Sequence, residues 1–272
     1  MEQTHSIKKL INDIDAQRIA LPEFQRDFVW EMSKTFDLFD SLVKDIFIGA
    51  IIYGVPSFEI AVRNVDGRER PRQGKKRPSI PIRVIKKEEI DNLIRISKDN
   101  FRLVLDGQQR TTSLYRALKG IDEVYFLSKN DDELEDDVIF ESSDTKLEQI
   151  LYEFSGSDDE NRITIKLSDV WKMDITDPEE DDVRDNYFRK AAFYLENYED
   201  PEFNEKLAFR RYKLLRKRIT EFLKGDKLLS FYLLDMSLEK FVTFFERSNT
   251  RGVQLNFIDI LAAKLYTGDF NL

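Results

Sequence analysis

The sequence, 272 residues long, predicts an α+β protein. Short apolar runs bounded by Gly, Pro and Asp crowd its first half, and apolar residues at helical spacing dominate its second. Strands and helices segregated in this way suit a sheet with helices packed on it.

Each element has its own warrant. Residues 7–15 read as a short helix or strand. The stretch from Ile19 to Phe28 is extended, because Pro22 bars a regular helix there. From Trp30 to Ile46, the residues Phe36, Phe39, Leu42, Val43 and Ile46 recur at helical spacing, and Gly49 ends the helix. Ala50 to Tyr53 is a compact apolar run, read as a buried strand. Residues 63–79 hold Gly67, Pro71, Gly74 and Pro78 and read as a loop. Ile80 to Ile85 and Arg102 to Leu105 read as strands, and Gln108 to Leu118 as a helix stopped by Gly120. Val124 to Leu127 and Val138 to Phe140 follow as short strands. Residues 141–185 are acidic and poorly patterned, with one strand expected over Ile163 to Leu167. Helices are expected over Val183 to Tyr198, Pro201 to Leu223, Leu238 to Ser248 and Phe257 to Tyr266. The second of these gathers Ala208, Tyr212, Leu215, Ile219 and Phe222 on one face. Leu228 to Leu234 is apolar and strand-like.

Composition removes several chemistries. With no Cys there are no disulfides, zinc fingers, thiol nucleophiles or iron–sulfur clusters. One histidine, His5, leaves no multi-His metal site and no His-based metal-finger nuclease in this stretch. No apolar run approaches the ~18 residues of a membrane span, and no signal pattern opens the chain, so a cytoplasmic protein is expected. The net charge of −9 opposes non-specific nucleic-acid binding, but the signs are segregated. Arg63 to Lys87 carries ten basic and two acidic residues, and Lys206 to Arg218 seven basic and none acidic. Asp131 to Glu160 carries thirteen acidic residues against Lys146, and Asp174 to Asp185 seven against Arg184. Such a chain can be acidic overall and still present a basic face. Arg68, Arg70, Arg72, Lys75, Lys76 and Arg77 are the candidate DNA-phosphate contacts. The same loop could simply be solvated, and the basic helix could pair with the acidic stretches.

Three motifs carry chemistry. In the first, the strand Leu103-Val104-Leu105 runs into Asp106-Gly107 and then directly into a helix opening Gln108-Gln109-Arg110-Thr111-Thr112. A helix N-terminus offers N–H donors and a positive dipole end. Gly107 permits close approach to the backbone, Arg110 can fork onto phosphate, and Thr111 and Thr112 add hydroxyls. Asp106 could hold Mg²⁺ or orient a water. The same residues would equally make a capped turn with the glutamine pair on a solvated surface. In the second motif, Leu21-Pro22-Glu23-Phe24-Gln25-Arg26 with Trp30, a Pro-fixed segment can aim Gln25 and Arg26 rigidly, or merely pack as a surface edge. The third, Asn249-Thr250-Arg251-Gly252 after a helix, could complete a nucleotide site or be an ordinary helix corner.

Together these stretches resemble the N-terminal domain of GmrSD-type, modification-dependent (type IV) restriction enzymes, a ParB-like domain. The resemblance rests on Phe24-Gln25-Arg26 with Trp30, on Asp106-Gly107-Gln108-Gln109-Arg110, and on Asn249 with Gly252, Leu255, Asp259 and Ala262. It implies a ParB/sulfiredoxin-like mixed α/β core over 1–140. An acidic connector and helical part over 141–272 would return to the site through Asn249–Gly252. It implies binding and hydrolysis of a nucleoside triphosphate, with Mg²⁺, coupled to DNA restriction in anti-phage defence. Asp106, Gln108, Gln109 and Arg110 would be catalytic. Gln25, Arg26, Gly107, Thr111, Thr112, Asn249, Arg251 and Gly252 would bind nucleotide. The implied partners are DNA, in modified form, and an HNH-type nuclease domain, C-terminal or separate; an oligomer is compatible. The rival expectation is a ParB-like module that senses modified DNA without turnover.

Overall fold

Ser6 closes strand β1 (Glu2–Ser6) and caps helix α1 (Ile7–Asp15), its hydroxyl accepting from Lys9 N at 3.2 Å. The computed structural model describes residues 2–71, 79–96, 101–134, 145–176 and 178–248. Then come β2 (Ile19–Pro22), α2 (Met32–Val43), β3 (Ile51–Pro56), β4 (Ile60–Arg63), β5 (Ile82–Ile85) and α3 (Lys87–Ile96). Strand β6 (Arg102–Asp106) leads into α4 (Gln108–Leu118), followed by β7 (Tyr125–Ser128), α5 (Leu147–Ile150), β8 (Leu151–Ser155) and β9 (Thr164–Lys166). Helices α6 (Leu167–Thr176), α7 (Glu180–Asn186), α8 (Ala192–Asn197) and α9 (Glu205–Glu221) precede β10 (Leu228–Met236) and α10 (Leu238–Ser248). The α+β expectation holds: helices accompany a mixed seven-stranded sheet and a second sheet of three strands.

The chain forms two compact units, one from Met1–Val29, Gly49–Thr112 and the stretch beginning at Leu228, the other from Trp30–Ile48 and Ser113–Lys227. In the first unit the sheet order is β1-β10-β3-β6-β2-β4-β5. Strand β10 lies antiparallel to β1 and parallel to β3, and β6 lies antiparallel to β3 and parallel to β2. Alternation along β6 serves both faces. Leu103 and Leu105 join Ala20, Val62 and Ile85 in a core closed by Ile90 of α3 and Phe241 and Phe245 of α10. On the opposite face Arg102 donates to Asp13 of α1 at 3.0 Å, and Arg18 holds the second Asp13 oxygen at 2.6 Å. Helix α1 buries Ile7, Leu10, Ile11 and Ile14, the spacing of one helical face. His5 is 5% exposed, edge-on to Phe231 at 4.8 Å and Tyr53 at 6.1 Å. Neither its ring nitrogens nor the Tyr53 hydroxyl has a partner among the described residues. Burial, with Arg102 adding to it, pushes the His5 pKa down to about 4.

In the second unit β7 is the central strand, between β8 and β9. Helix α2 buries Thr35, Leu38, Phe39 and Leu42; Phe39 meets Phe154 of β8, and Thr35 hydrogen-bonds Ser113 at 2.7 Å. Arg116 and Asp122 form a fully buried ion pair with two contacts of 2.8 Å. The apolar face expected on the basic helix is present in α9, where Ala208, Phe209, Tyr212, Leu215 and Ile219 are buried. Residues 183–198 do not form one helix. Tyr187 leaves the helical region at φ −125°, and a short 3₁₀ turn, Phe188–Lys190, intervenes so that Phe188 can pack against Phe209 and Tyr212. Two strands, β8 and β9, stand in the acidic region where one was expected. The expected elements at Val138–Phe140 and Phe257–Tyr266 lie outside the described residues.

Candidate functional site

Asp106 is the last residue of β6, with its side chain 62% exposed. Gly107 follows at φ +88°, a conformation unfavourable to any residue with a Cβ. Its carbonyl accepts from Thr111 N at 2.9 Å and so starts α4. A methyl group on Gly107 would meet Arg110 Nη2 at 3.2 Å and the Ile51 backbone at 3.4 Å. Gly49, at φ +87°, lies against the same guanidinium, too close for a side chain of its own. Between these two glycines Arg110 donates to Ala50 O at 3.2 Å and pairs with Asp106 at 3.2 Å, its side chain 15% exposed.

The Phe24-Gln25-Arg26 stretch lies against this turn. Gln25 Nε2 donates to Val104 O at 2.8 Å and Leu105 O at 3.2 Å, in the strand that ends at Asp106. Gln108 Nε2 donates to Arg26 O at 2.6 Å. Gln109 reaches the same loop twice, donating to Asp27 O at 3.1 Å and accepting from Val29 N at 3.0 Å. Arg63, buried at the end of β4, donates to Gln25 O, to Arg26 O at 2.6 Å, and to the Asp27 carboxylate. The side chain of Arg26 is exposed and has no partner among the described residues.

These placements correct two expectations. The glutamine pair is not solvated surface: Gln108 is 9% and Gln109 7% exposed, because their amides fasten a loop. Thr111 and Thr112 are wholly buried, so neither hydroxyl is offered to the surface. The first two motifs are brought together. Asn249, Arg251 and Gly252 lie outside the described residues, but α10, the helix before them, packs Phe241 and Phe245 on Phe24.

Of the basic segment, Arg68 forks onto Asp66 with two contacts of 2.8 Å and comes within 3.8 Å of Asp27. Its bond to Asp66 raises its pKa above the ordinary value. Arg70 stands over the Phe28 ring at 5.4 Å. Arg72, Lys75, Lys76 and Arg77 lie outside the described residues. In the second unit the basic helix pairs with the acidic stretches: Arg211 with Asp131 at 2.9 Å and Lys213 with Glu180 at 2.9 Å. Among the described residues no group of three or more His, Cys, Asp or Glu side chains could hold a metal ion. No described helix is long and apolar enough to cross a membrane.

Sequence reasoning missed Arg63, Gly49 and Asp27. One signal was present: Arg63 ends the otherwise apolar run Ile60-Ala61-Val62, where a buried strand predicts no charge without a partner.

The described residues form a mixed α/β domain whose two motif loops are fastened together into one composite rim. The family model described as "GmrSD restriction endonuclease, N-terminal domain" matches residues 7–266, and the chain belongs to that family. It is 27% identical, over 98% of its length, to "Uncharacterized protein MJ0686" of Methanocaldococcus jannaschii, and spans 43% of that relative.

Proposed function

We propose that this domain binds a nucleoside triphosphate by its phosphates at the rim formed by residues 25–29 and the β6–α4 turn, and hydrolyses it in support of DNA restriction. The observation that carries the reading is the fastening of the Arg26 loop to α4 by Gln108 and Gln109. It brings a residue whose guanidinium has no partner among the described residues to the positive end of a helix dipole, next to the strand end bearing Asp106. Gln25, Gln108 and Gln109 act as positioning residues. Arg110 orients Asp106 and lends positive charge, with Gly107 and Gly49 shaping its slot. In hydrolysis Asp106 takes a proton from the attacking water as the water oxygen bonds to the terminal phosphorus. The bridging P–O bond then breaks and the diphosphate leaves. For Mg²⁺ the described residues of the rim offer the exposed Asp106 carboxylate. This fits an ion that keeps most of its waters, enters with the substrate phosphates and neutralises their charge.

The family resemblance adds Asn249, Arg251 and Gly252 to the nucleotide site, modified DNA as the partner, and a nuclease domain of HNH type elsewhere. A second reading, binding without turnover, is favoured by one observation. Gln108, Gln109 and Arg110 are already bonded to the protein, so of the described motif residues Asp106 is left to do the chemistry. Titration with a non-hydrolysable triphosphate, beside phosphate release with and without DNA, separates the two. Saturable binding with release supports turnover, and saturable binding without it selects the second reading. Absence of saturable binding by the wild-type chain rejects both nucleotide roles.

A further inference from the structure

Three consecutive carbonyls of the Arg26 loop are spent on side chains behind it. Gln25 O and Arg26 O accept from Arg63, Arg26 O also from Gln108, and Asp27 O from Gln109. A trans peptide sets its N–H on the side opposite its carbonyl, and no described peptide is cis. The N–H groups of Arg26 and Asp27 therefore point away from Arg63 and Gln108. Both residues are exposed, and neither N–H has a partner among the described residues. The Arg26 guanidinium likewise has no partner among the described residues. Of the carboxylates that would repel an anion here, that of Asp27 is paired with Arg63, with Arg68 3.8 Å from it, and that of Asp106 is paired with Arg110.

We propose that Arg63 is a positioning residue that builds an anion cradle from the N–H groups of Arg26 and Asp27 and the Arg26 guanidinium. This cradle, rather than the first turn of α4, grips the terminal phosphate. The inference rests on the phosphate reading above and locates it. Adjacent N–H groups on one side of a loop, on and beside a residue that carries a guanidinium, suit a tetrahedral dianion. The start of α4 suits one less well, since Ile51 and Arg110 crowd Gly107 and the Thr111 and Thr112 hydroxyls are buried. Arg63 makes its contacts through a planar fork, reaching two carbonyls with one nitrogen and Asp27 with another. A lysine ammonium cannot span them in that plane.

The test is an amide NMR titration of the ¹⁵N-labelled full chain with pyrophosphate and with a non-hydrolysable triphosphate. The largest saturable shifts are expected at the Arg26 and Asp27 amides. Arg63→Ala should weaken pyrophosphate binding at least tenfold, and Arg63→Lys should not restore it. Should Arg63→Ala fail to fold, Gln108→Ala removes the other donor to the same carbonyl and should weaken binding in the same assay. Shifts centred on Gly107 to Arg110, with Arg26 and Asp27 unmoved, overturn the cradle and leave the phosphate reading standing. Saturable shifts nowhere in the chain remove both. Pyrophosphate bound at wild-type strength by a folded Arg63→Ala chain, or by Gln108→Ala in its place, overturns the positioning role.

Discussion

The main-chain oxygen of Arg26 accepts from Gln108 Nε2 at 2.6 Å across 82 residues of sequence. A second donor, Arg63, reaches the same oxygen at 2.6 Å, so both its lone pairs are used. The loop is therefore held by hydrogen bonds from two directions, and its conformation depends on side chains remote in sequence.

Gln109 is the member of this set that both donates and accepts. In Gln109→Ala the Asp27 carbonyl and the Val29 N–H each lose their partner. A loss of about 1–3 kcal/mol is expected in urea unfolding, by the usual cost of unsatisfied groups near the interior. Triphosphate affinity should fall with it. Stability and affinity both at wild-type level would show that the loop is not held by this amide.

Gly49 and Arg110 should be energetically coupled. Gly49→Ala puts a methyl group at φ +87° and against the Arg110 guanidinium. The backbone part alone is worth about 1–3 kcal/mol. Arg110→Ala alone forfeits the bond to Ala50 and the Asp106 pair, and should lower nucleotide affinity about tenfold, ~1.4 kcal/mol. In the double variant the clash disappears. Its loss of stability should fall short of the sum of the singles by at least ~0.5 kcal/mol, and strictly additive losses would refute the contact.

The buried His5 gives a pH signature. Its folded pKa lies near 4 against an ordinary value of 6.5, burial being the main cause. Between those values the unfolded chain binds a proton that the folded chain refuses. The stability concerned is therefore complete above pH 6.5 and is lost as pH falls toward 4. His5→Phe should remove that part, narrowing the pH 7 to pH 4 stability difference by an amount on the order of 3 kcal/mol. Parallel stability curves for the two proteins would contradict it.

Arg116 and Asp122 are fully buried and paired. Asp122→Ala leaves a guanidinium charge without its carboxylate and should cost about 3–5 kcal/mol. Replacing both by apolar residues of similar volume should cost less than the single change. Calorimetry of the three proteins checks the order.

The elements with strong periodicity were legible in the sequence. The apolar face of α9 and the strand before Asp106 lie where the residue pattern puts them, and α2 buries Phe39, Leu42 and Val43 of its expected face but leaves Ile46 outside the helix and exposed. The convergence of Phe24-Gln25-Arg26 on Asp106-Gly107 was legible only through family resemblance, since spacing alone is silent on which loops meet. What stayed hidden was pairing. Leu228 to Leu234 reads as a strand, but nothing local says that it enters between β1 and β3. Gly49 reads as a helix stop, and its second use, making room for Arg110, needs the tertiary contact. Arg63 reads as the first residue of a basic run, because charge counted along a chain ignores that a strand end can bury it.

The insertion of β10 bears on how the protein is made. Strands β1 and β3 leave the ribosome early, yet the strand that joins them comes some two hundred residues later than β1. Until Met236 emerges, β1 has no neighbour in its sheet order, and β3 has an open edge on the side away from β6. Open strand edges are templates for pairing with other chains. The second unit, built from Trp30–Ile48 and Ser113–Lys227, is complete before β10 is synthesised. Synthesis thus favours an order in which the inner segment closes first and the sheet bearing the Arg26 loop is finished last. A ribosome stalled within residues 113–227 would hold a nascent chain whose sheet still lacks its second strand.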